Sequence, residues 1–279
     1  MENRNCTIKI IVYFSFKLNS TLLYIIIGYF ILLVLVYFIQ ERFIFKPEKL
    51  QQDFKYVYDI PFKELFFDVE QGVRINGLHF NVKEPLGLVL YFHGNTRSIK
   101  GWAKYAKDFL KYRYDVVLVD YRGFGKSTGK RNEHDMLQDM QFVYDTLAVE
   151  YTEHHIIVYG RSLGSGFAAK IASDNKPRYL ILDAPYFNFA KVIERFLPML
   201  PIRYILRYQL RTDKWIRHVN CHTYIIHGTE DFLIPISNSE KLQQINPQKI
   251  TLLRIVGGGH NNLPSFPAYH NLLRDILQY

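Results

Sequence analysis

Polar and apolar positions divide the chain into two regimes. From Thr21 to Ile39 no charge interrupts a run of Leu, Ile, Val, Tyr and Phe. Beyond residue 60, short apolar runs alternate with amphipathic stretches as far as the C terminus. The first regime predicts one helix over about residues 20–39, because about 20 apolar residues match a hydrocarbon layer ~30 Å thick. A cleaved signal is the rival, but its apolar region is shorter, about 7–15 residues, and ends at small residues. Here the run closes in Phe38-Ile39-Gln40-Glu41-Arg42. Residues 1–42 are therefore expected to be a retained single-pass membrane anchor. Arg4, Lys9 and Lys17 precede the run and Arg42, Lys46 and Lys49 follow it, so the balance of basic residues gives no side of the membrane.

In the second regime the runs 65–70, 73–82, 87–92, 115–120, 155–159, 179–183, 222–227 and 250–256 read as strands. The stretches 101–112, 133–151, 166–173, 239–245 and 268–277 read as helices. Solid apolar runs such as Gly87 to Phe92 suit strands buried on both faces. Strand–helix alternation predicts an α/β domain over 43–279, with a mostly parallel sheet and helices on both faces. Ligand sites in such sheets lie beyond the carboxyl ends of the strands.

Composition narrows the class. The chain has 279 residues, 48% of them hydrophobic and 22% charged, enough for one domain and a short appendage. Two cysteines, Cys6 and Cys221, exclude a disulfide framework and an all-cysteine zinc site. The net charge of +9 comes without a long Lys/Arg run, so no nucleic-acid partner is expected. Much of it is local. Between Lys191 and Arg217, Arg203, Arg207 and Arg211 recur every four residues, with Leu206 and Leu210 on another face. Ile202 to Leu210 is thus expected to be a basic amphipathic helix, which either turns a solvated charged face outward over a core-facing apolar one or lies on an anionic bilayer.

The candidate chemistry lies at strand ends. Gly160-Arg161-Ser162-Leu163-Gly164 falls directly between a strand and a helix. In that context a sharp turn projects the serine hydroxyl above the sheet, and small flanking residues let neighbouring backbones pass. Ser162 is the candidate nucleophile and needs a base. Downstream, His227-Gly228-Thr229-Glu230-Asp231 and Gly259-His260-Asn261 also follow strands. Asp231, ahead of the apolar turn Phe232-Leu233-Ile234-Pro235, is favoured as the acid over Glu230 and over Asp183 at an earlier strand end. His260 is favoured as the base over His93, His227 and His270. In these roles His260 would take the Ser162 proton while Asp231 fixes its tautomer. Backbone N–H groups of Leu163 and Asn95 are the expected oxyanion donors, with Thr96 the neighbouring choice for the second. No metal or organic cofactor is required.

These words together resemble the α/β-hydrolase superfamily, specifically its bud-emergence-type (Bem-like) serine hydrolases, many of them membrane-anchored. The matching stretches are Tyr91-Phe92-His93-Gly94-Asn95, Asp120 to Ser127 (DYRGFGKS), Gly160 to Gly164, Leu182-Asp183-Ala184-Pro185-Tyr186, Ile226 to Asp231 and Gly259-His260-Asn261. The resemblance implies an eight-stranded sheet, a Ser162–His260–Asp231 triad, and a short cap at about 186–217 that shapes the acyl pocket. Thr96-Arg97 departs from the small residues expected after His-Gly-Asn. The expected function is hydrolysis of an ester or thioester through an acyl-enzyme at a membrane. The alternatives are an amidase, peptidase or acyltransferase on the same residues, or a catalytically silent binding protein.

Overall fold

β-Branched and aromatic residues fill the eight strands of one sheet: β1 Phe62–Glu70, β2 Val73–Phe80, β3 Gly87–Phe92, β4 Tyr114–Val119, β5 Ile156–Arg161, β6 Tyr179–Asp183, β7 His222–Gly228 and β8 Ile250–Ile255. The computed structural model describes residues 2–278, with side chains from residue 20 onward. Cys6 and the cations Arg4, Lys9 and Lys17, used above for membrane orientation, lie outside the described side chains. The strand order is 1-2-4-3-5-6-7-8. β2 runs antiparallel to both its neighbours, and β3 to β8 are mutually parallel. Every residue of β3, β4 and β5 is buried, Asp115 and Arg161 included among their otherwise apolar runs.

The helices cover both faces. Helix α1 spans Glu2–Ile44, α2 Glu133–Tyr151, α3 Gly164–Asp174, α4 Phe189–Phe196, α5 Ser237–Ile245 and α6 Pro267–Gln278. In α2 the side chain of Asn132 caps the first turn by accepting from the Asp135 N–H (2.9 Å), and Met136, Met140, Val143 and Leu147 form the buried stripe. One face of the sheet packs Leu88, Leu90 and Phe92 with α2 and α3; the other packs Val89, Tyr91 and Tyr159 with Phe109 and α6. The helix expected over 101–112 begins earlier, at Ile99, and is broken by a 3₁₀ turn at Ala103–Ala106. Its start is set by the buried Asp120 carboxylate, which accepts from the Ile99 N–H (2.9 Å).

One expectation needs correction, the basic amphipathic helix. Only Ile202–Ile205 is helical, and Leu206 turns extended with ψ 123°. Side chains capture the N–H groups that the helix would need: Arg207 donates to Gln40 Oε1 (2.8 Å), while Gln209 and Leu210 donate to the Glu133 carboxylate. Arg207 pairs with Glu41 (3.0 Å) and Arg211 with Asp213 (2.7 Å), so the three arginines form no stripe. Phe196, Leu197 and Met199 are exposed at the tip of this cap, with Arg195 and Arg203 exposed to either side.

The end of α1 meets the cap and the sheet. Residues Ser20–Ile44 make one helix long and apolar enough to cross a membrane. Its last turns belong to the folded body. Gln40 is buried and donates to Ile205 O (3.1 Å); Glu41 accepts from Tyr208 Oη (2.8 Å); Ile44 and Phe45 join the core. Tyr29 donates to Met199 O (3.0 Å), about 16 Å further along α1 at 1.5 Å per residue. The chain leaving α1 then pairs in parallel with the loop after β3, Lys46 against Thr96 and Pro47 against Arg97.

Candidate active site

The turn between β5 and α3 holds Ser162 at φ +50°, a left-handed conformation that a non-glycine residue adopts only under strain of about 1–3 kcal/mol. Its surroundings enforce that shape. A Cβ at Gly160 would lie 2.4 Å from Gly164 O, and one at Gly164 would lie 2.1 Å from Phe92 O. Both positions exclude a side chain, so β5, α3 and β3 close on one another and the Ser162 side chain is left at the end of the sheet. Asp183, at the end of β6, accepts the Ser162 N–H on its own main-chain oxygen (2.8 Å). Its carboxylate is engaged elsewhere, by Tyr159 Oη (2.6 Å).

The loops after β7 and β8 bring two further side chains to this point. His260 Nε2 lies 2.9 Å from Ser162 Oγ, and Nδ1 lies 2.7 Å from Asp231 Oδ2. A carboxylate accepts only, so Nδ1 carries the proton and Nε2 is free to accept from the hydroxyl. Asp231 is buried, and burial alone would raise its pKa. Hydrogen bonds from His227 and His260 outweigh burial and hold the carboxyl well below the usual carboxylate range. Its Oδ1 accepts from the Leu233 and Ile234 N–H groups (3.0 and 2.8 Å), which is how the apolar turn fixes it. Glu230 is exposed, and His270 lies away on α6, bonded to Pro264 O (2.7 Å).

His227 lies at the end of β7 just ahead of Gly228, a turn position that favours a structural hydrogen bond over a role as base. Its Nε2 lies 3.2 Å from Asp231 Oδ2 and 2.8 Å from Ile234 O, and its Nδ1 bonds Ser239 Oγ. It therefore shares the carboxylate oxygen that orients His260. His93 is likewise buried, with Nε2 3.1 Å from Asp120 Oδ1.

Asn95 and Leu163 border the same cavity as Ser162, and neither of their N–H groups donates to a protein acceptor among the described residues. Thr96 is instead taken up in the short ladder with Lys46. The Asn95 peptide is tied to the end of α1: its O accepts from the Lys46 N–H (2.9 Å), and its side chain donates to Ile44 O (2.7 Å).

That cavity measures about 690 Å³. One wall is α4 and the cap, with Phe189, Val192, Ile193 and Phe196. The opposite wall is α1 itself, with Leu32, Val36, Ile39 and Phe43. The sequence placed an acyl pocket beneath the cap but gave α1 no part in it. A helix apolar on every side carries no periodicity that separates a protein-facing stripe from a lipid-facing one.

The fold is the α/β-hydrolase fold. A solved esterase of Pyrococcus furiosus, Pf2001, superposes with a TM-score of 0.65 at 20% identity, covering 84% of this chain and 96% of that one. Acetyl xylan esterase 1 of Thermoanaerobacterium superposes with a TM-score of 0.65 at 16% identity, over 82% of this chain and 86% of that one. The family described as serine aminopeptidase, S33, matches residues 83–212. The Bos taurus lysophosphatidylserine lipase ABHD12 is 29% identical over 220 residues, 68% of this chain and 55% of its own length. The uncharacterized protein R595 of Acanthamoeba polyphaga mimivirus is 29% identical over 212 residues, 67% of this chain and 71% of its own. The chain thus spans little more than half the length of the lipase it matches.

Proposed function

We propose that the chain is a membrane-anchored serine hydrolase that cleaves esters of long-chain acids through an acyl-enzyme. The observation that carries this reading is the unbroken relay from Asp231 Oδ2 through His260 to Ser162 Oγ, at 2.7 and 2.9 Å. Ser162 Oγ attacks the acyl carbon while His260 Nε2 takes its proton. The N–H groups of Asn95 and Leu163 hold the oxyanion, and Asp231 stabilises the imidazolium. The carbonyl carbon–oxygen bond to the alcohol breaks as Nε2 returns the proton to the departing oxygen. Water then repeats the sequence, releasing the acid and restoring Ser162.

The cavity supports a long acyl chain: its walls are almost wholly apolar, and no Asp or Glu is among its lining residues. An aminopeptidase would need an acidic group to hold the substrate's ammonium, so the ester reading is favoured over the peptidase named by the matching family. The lipase relative points the same way. Residues 20–39, ahead of the turns that pack into the domain, make about 30 Å of helix and match a ~30 Å hydrocarbon layer. The bond from Tyr29 to Met199 sets the apolar cap tip beside that span, so an acyl chain passes from lipid into the cavity without crossing water. The anchor ahead of the domain, with the motif words, supports placement in the Bem-like subgroup. A ladder of 4-nitrophenyl or thio esters from two to eighteen carbons, assayed in detergent micelles, tests the reading. Turnover should rise with chain length and vanish in Ser162→Ala; turnover that survives that change would overturn it.

A further inference from the structure

The apolar cavity accounts for one side of Ser162. On the other side lies a second, polar cleft of about 320 Å³. Each strand-end loop of the candidate site contributes to it the residue beside its own functional group: Thr96 and Arg97 follow Asn95, Arg161 precedes Ser162, and Asn261 follows His260. Trp102 forms the wall toward the nucleophile. Its ring would touch a Cβ at Gly94 at 3.2 Å, and the same point is 3.8 Å from Ser162 Cβ. Its Nε1 donates to Thr96 O (2.8 Å).

The cleft is cationic. Arg97, Lys104 and Arg161 line it, and no carboxylate does. Arg161 is buried, with its guanidinium carbon 5.4 Å from the Trp102 ring centre and 5.2 Å from that of Tyr105. Asp183 balances it from beneath at 3.7 Å and Nη2 donates to His260 O (3.4 Å), yet Nη1 is buried with no hydrogen-bond partner among the described residues. A buried guanidinium N–H left unpaired is costly, and an anion in the cleft would satisfy it. Arg97 and Lys104 are exposed and make no ion pair among the described residues. Their charges therefore remain available to a ligand.

We infer that this cleft binds the phosphate of an anionic leaving alcohol. The inference rests on the hydrolase reading and extends it. In that chemistry His260 hands its proton to the departing oxygen, so the alcohol leaves on the side of the histidine loop. Asn261 places the cleft on that side, opposite the apolar cavity. A substrate would then lie across Ser162 with its acyl chain against α1 and α4 and its phosphate between Arg97, Lys104 and Arg161.

The test compares two esters of one acid, 1-oleoyl-glycerol 3-phosphate and 1-oleoylglycerol, on the full chain in neutral detergent micelles. The wild type should show a kcat/KM ratio of at least about tenfold in favour of the phosphate ester, the scale of one charge-assisted contact. Arg97→Ala/Lys104→Ala should bring the ratio to near one, Arg97→Lys should keep most of it, and Lys176→Ala/Lys241→Ala, remote in the chain, should keep it all. A ratio near one in the wild type, or a ratio equally reduced by the remote pair, would overturn the inference. Fluorophosphonate labelling of Ser162 on the same samples separates the two readings: labelling with an unmoved ratio rejects the cleft and leaves the hydrolase standing. If the chain neither labels nor turns over, the hydrolase reading falls, and Trp102 fluorescence decides the cleft alone. Quenching by glycerol 3-phosphate that the Arg97/Lys104 variant abolishes supports anion binding; no quenching overturns it. Inorganic phosphate quenching as strongly, with no preference between the esters, would make this a free-phosphate site and reject the leaving-group role.

Discussion

The two halves of the candidate site are built by opposite means. Ser162, Asp231 and His260 stand on loops that leave the parallel strands β5, β7 and β8, so the register of the sheet brings them together. The apolar cavity instead lies between α1 and a cap more than a hundred and forty residues away in sequence, held by side chains: Gln40 on Ile205 and Arg207, Glu41 on Tyr208, Tyr29 on Met199. The first construction leaves fixed words in the sequence, because a strand end must be followed by a particular turn. The second leaves none, because any apolar helix can supply a wall.

Changes on the strand-end side should have the largest effect. Asp231→Asn removes the acceptor that fixes the His260 tautomer and should lower kcat by about 10⁴-fold, with KM little changed. Steady-state assays on a short and a long ester should give the same loss, since the defect precedes any contact with the chain. On the other side, Val36→Trp or Ile39→Trp should fill the cavity from the α1 wall. We expect about 10–100-fold loss of kcat/KM on an eighteen-carbon ester and far less on a two-carbon ester. An equal loss on both would mean that α1 bears on the chemistry and not on chain length.

A smaller effect concerns stability. The Asp231 carboxyl titrates below its unfolded value of about 3.9, so its ionised form stabilises the fold above that pH. The contribution is lost as pH falls through the native value. Urea unfolding of wild type and Asp231→Asn should therefore differ at pH 7, and the gap should narrow steadily below about pH 4. The α1 wall, which carries no such group at the cavity surface, should give Val36→Trp a stability offset that does not depend on pH.

The smallest expected difference is spectroscopic. A fluorophore at Met199→Cys, in a background with Cys6 and Cys221 replaced, should be quenched by spin-labelled lipid in nanodiscs, whereas one at Lys214→Cys should not. Equal quenching would return the basic residues to the membrane surface.

Much of this was legible beforehand. Three of the strands and α2 fall on their expected bounds, because Gly87–Phe92, Ile250–Ile255 to within one residue, Tyr179–Asp183 and Glu133–Tyr151 carry strong, unmixed periodicity. The candidate nucleophile, acid and base were named from turn chemistry at strand ends. The helix over 202–210 was misread because spacing alone cannot show that Gln40 and Glu133 take its backbone donors. The pairing of the chain after α1 with the Asn95 loop, and the second bond from His227 to Asp231, are long-range or folded-state facts with no local pattern.

The central claim is that Ser162 is an activated nucleophile at a membrane surface. Full-length protein in micelles, treated with a long-chain fluorophosphonate and digested for mass spectrometry, tests it most directly. The account predicts a single phosphonyl adduct on Ser162, formed rapidly in wild type and lost in His260→Ala. An adduct on another residue, or none on folded protein, would contradict it.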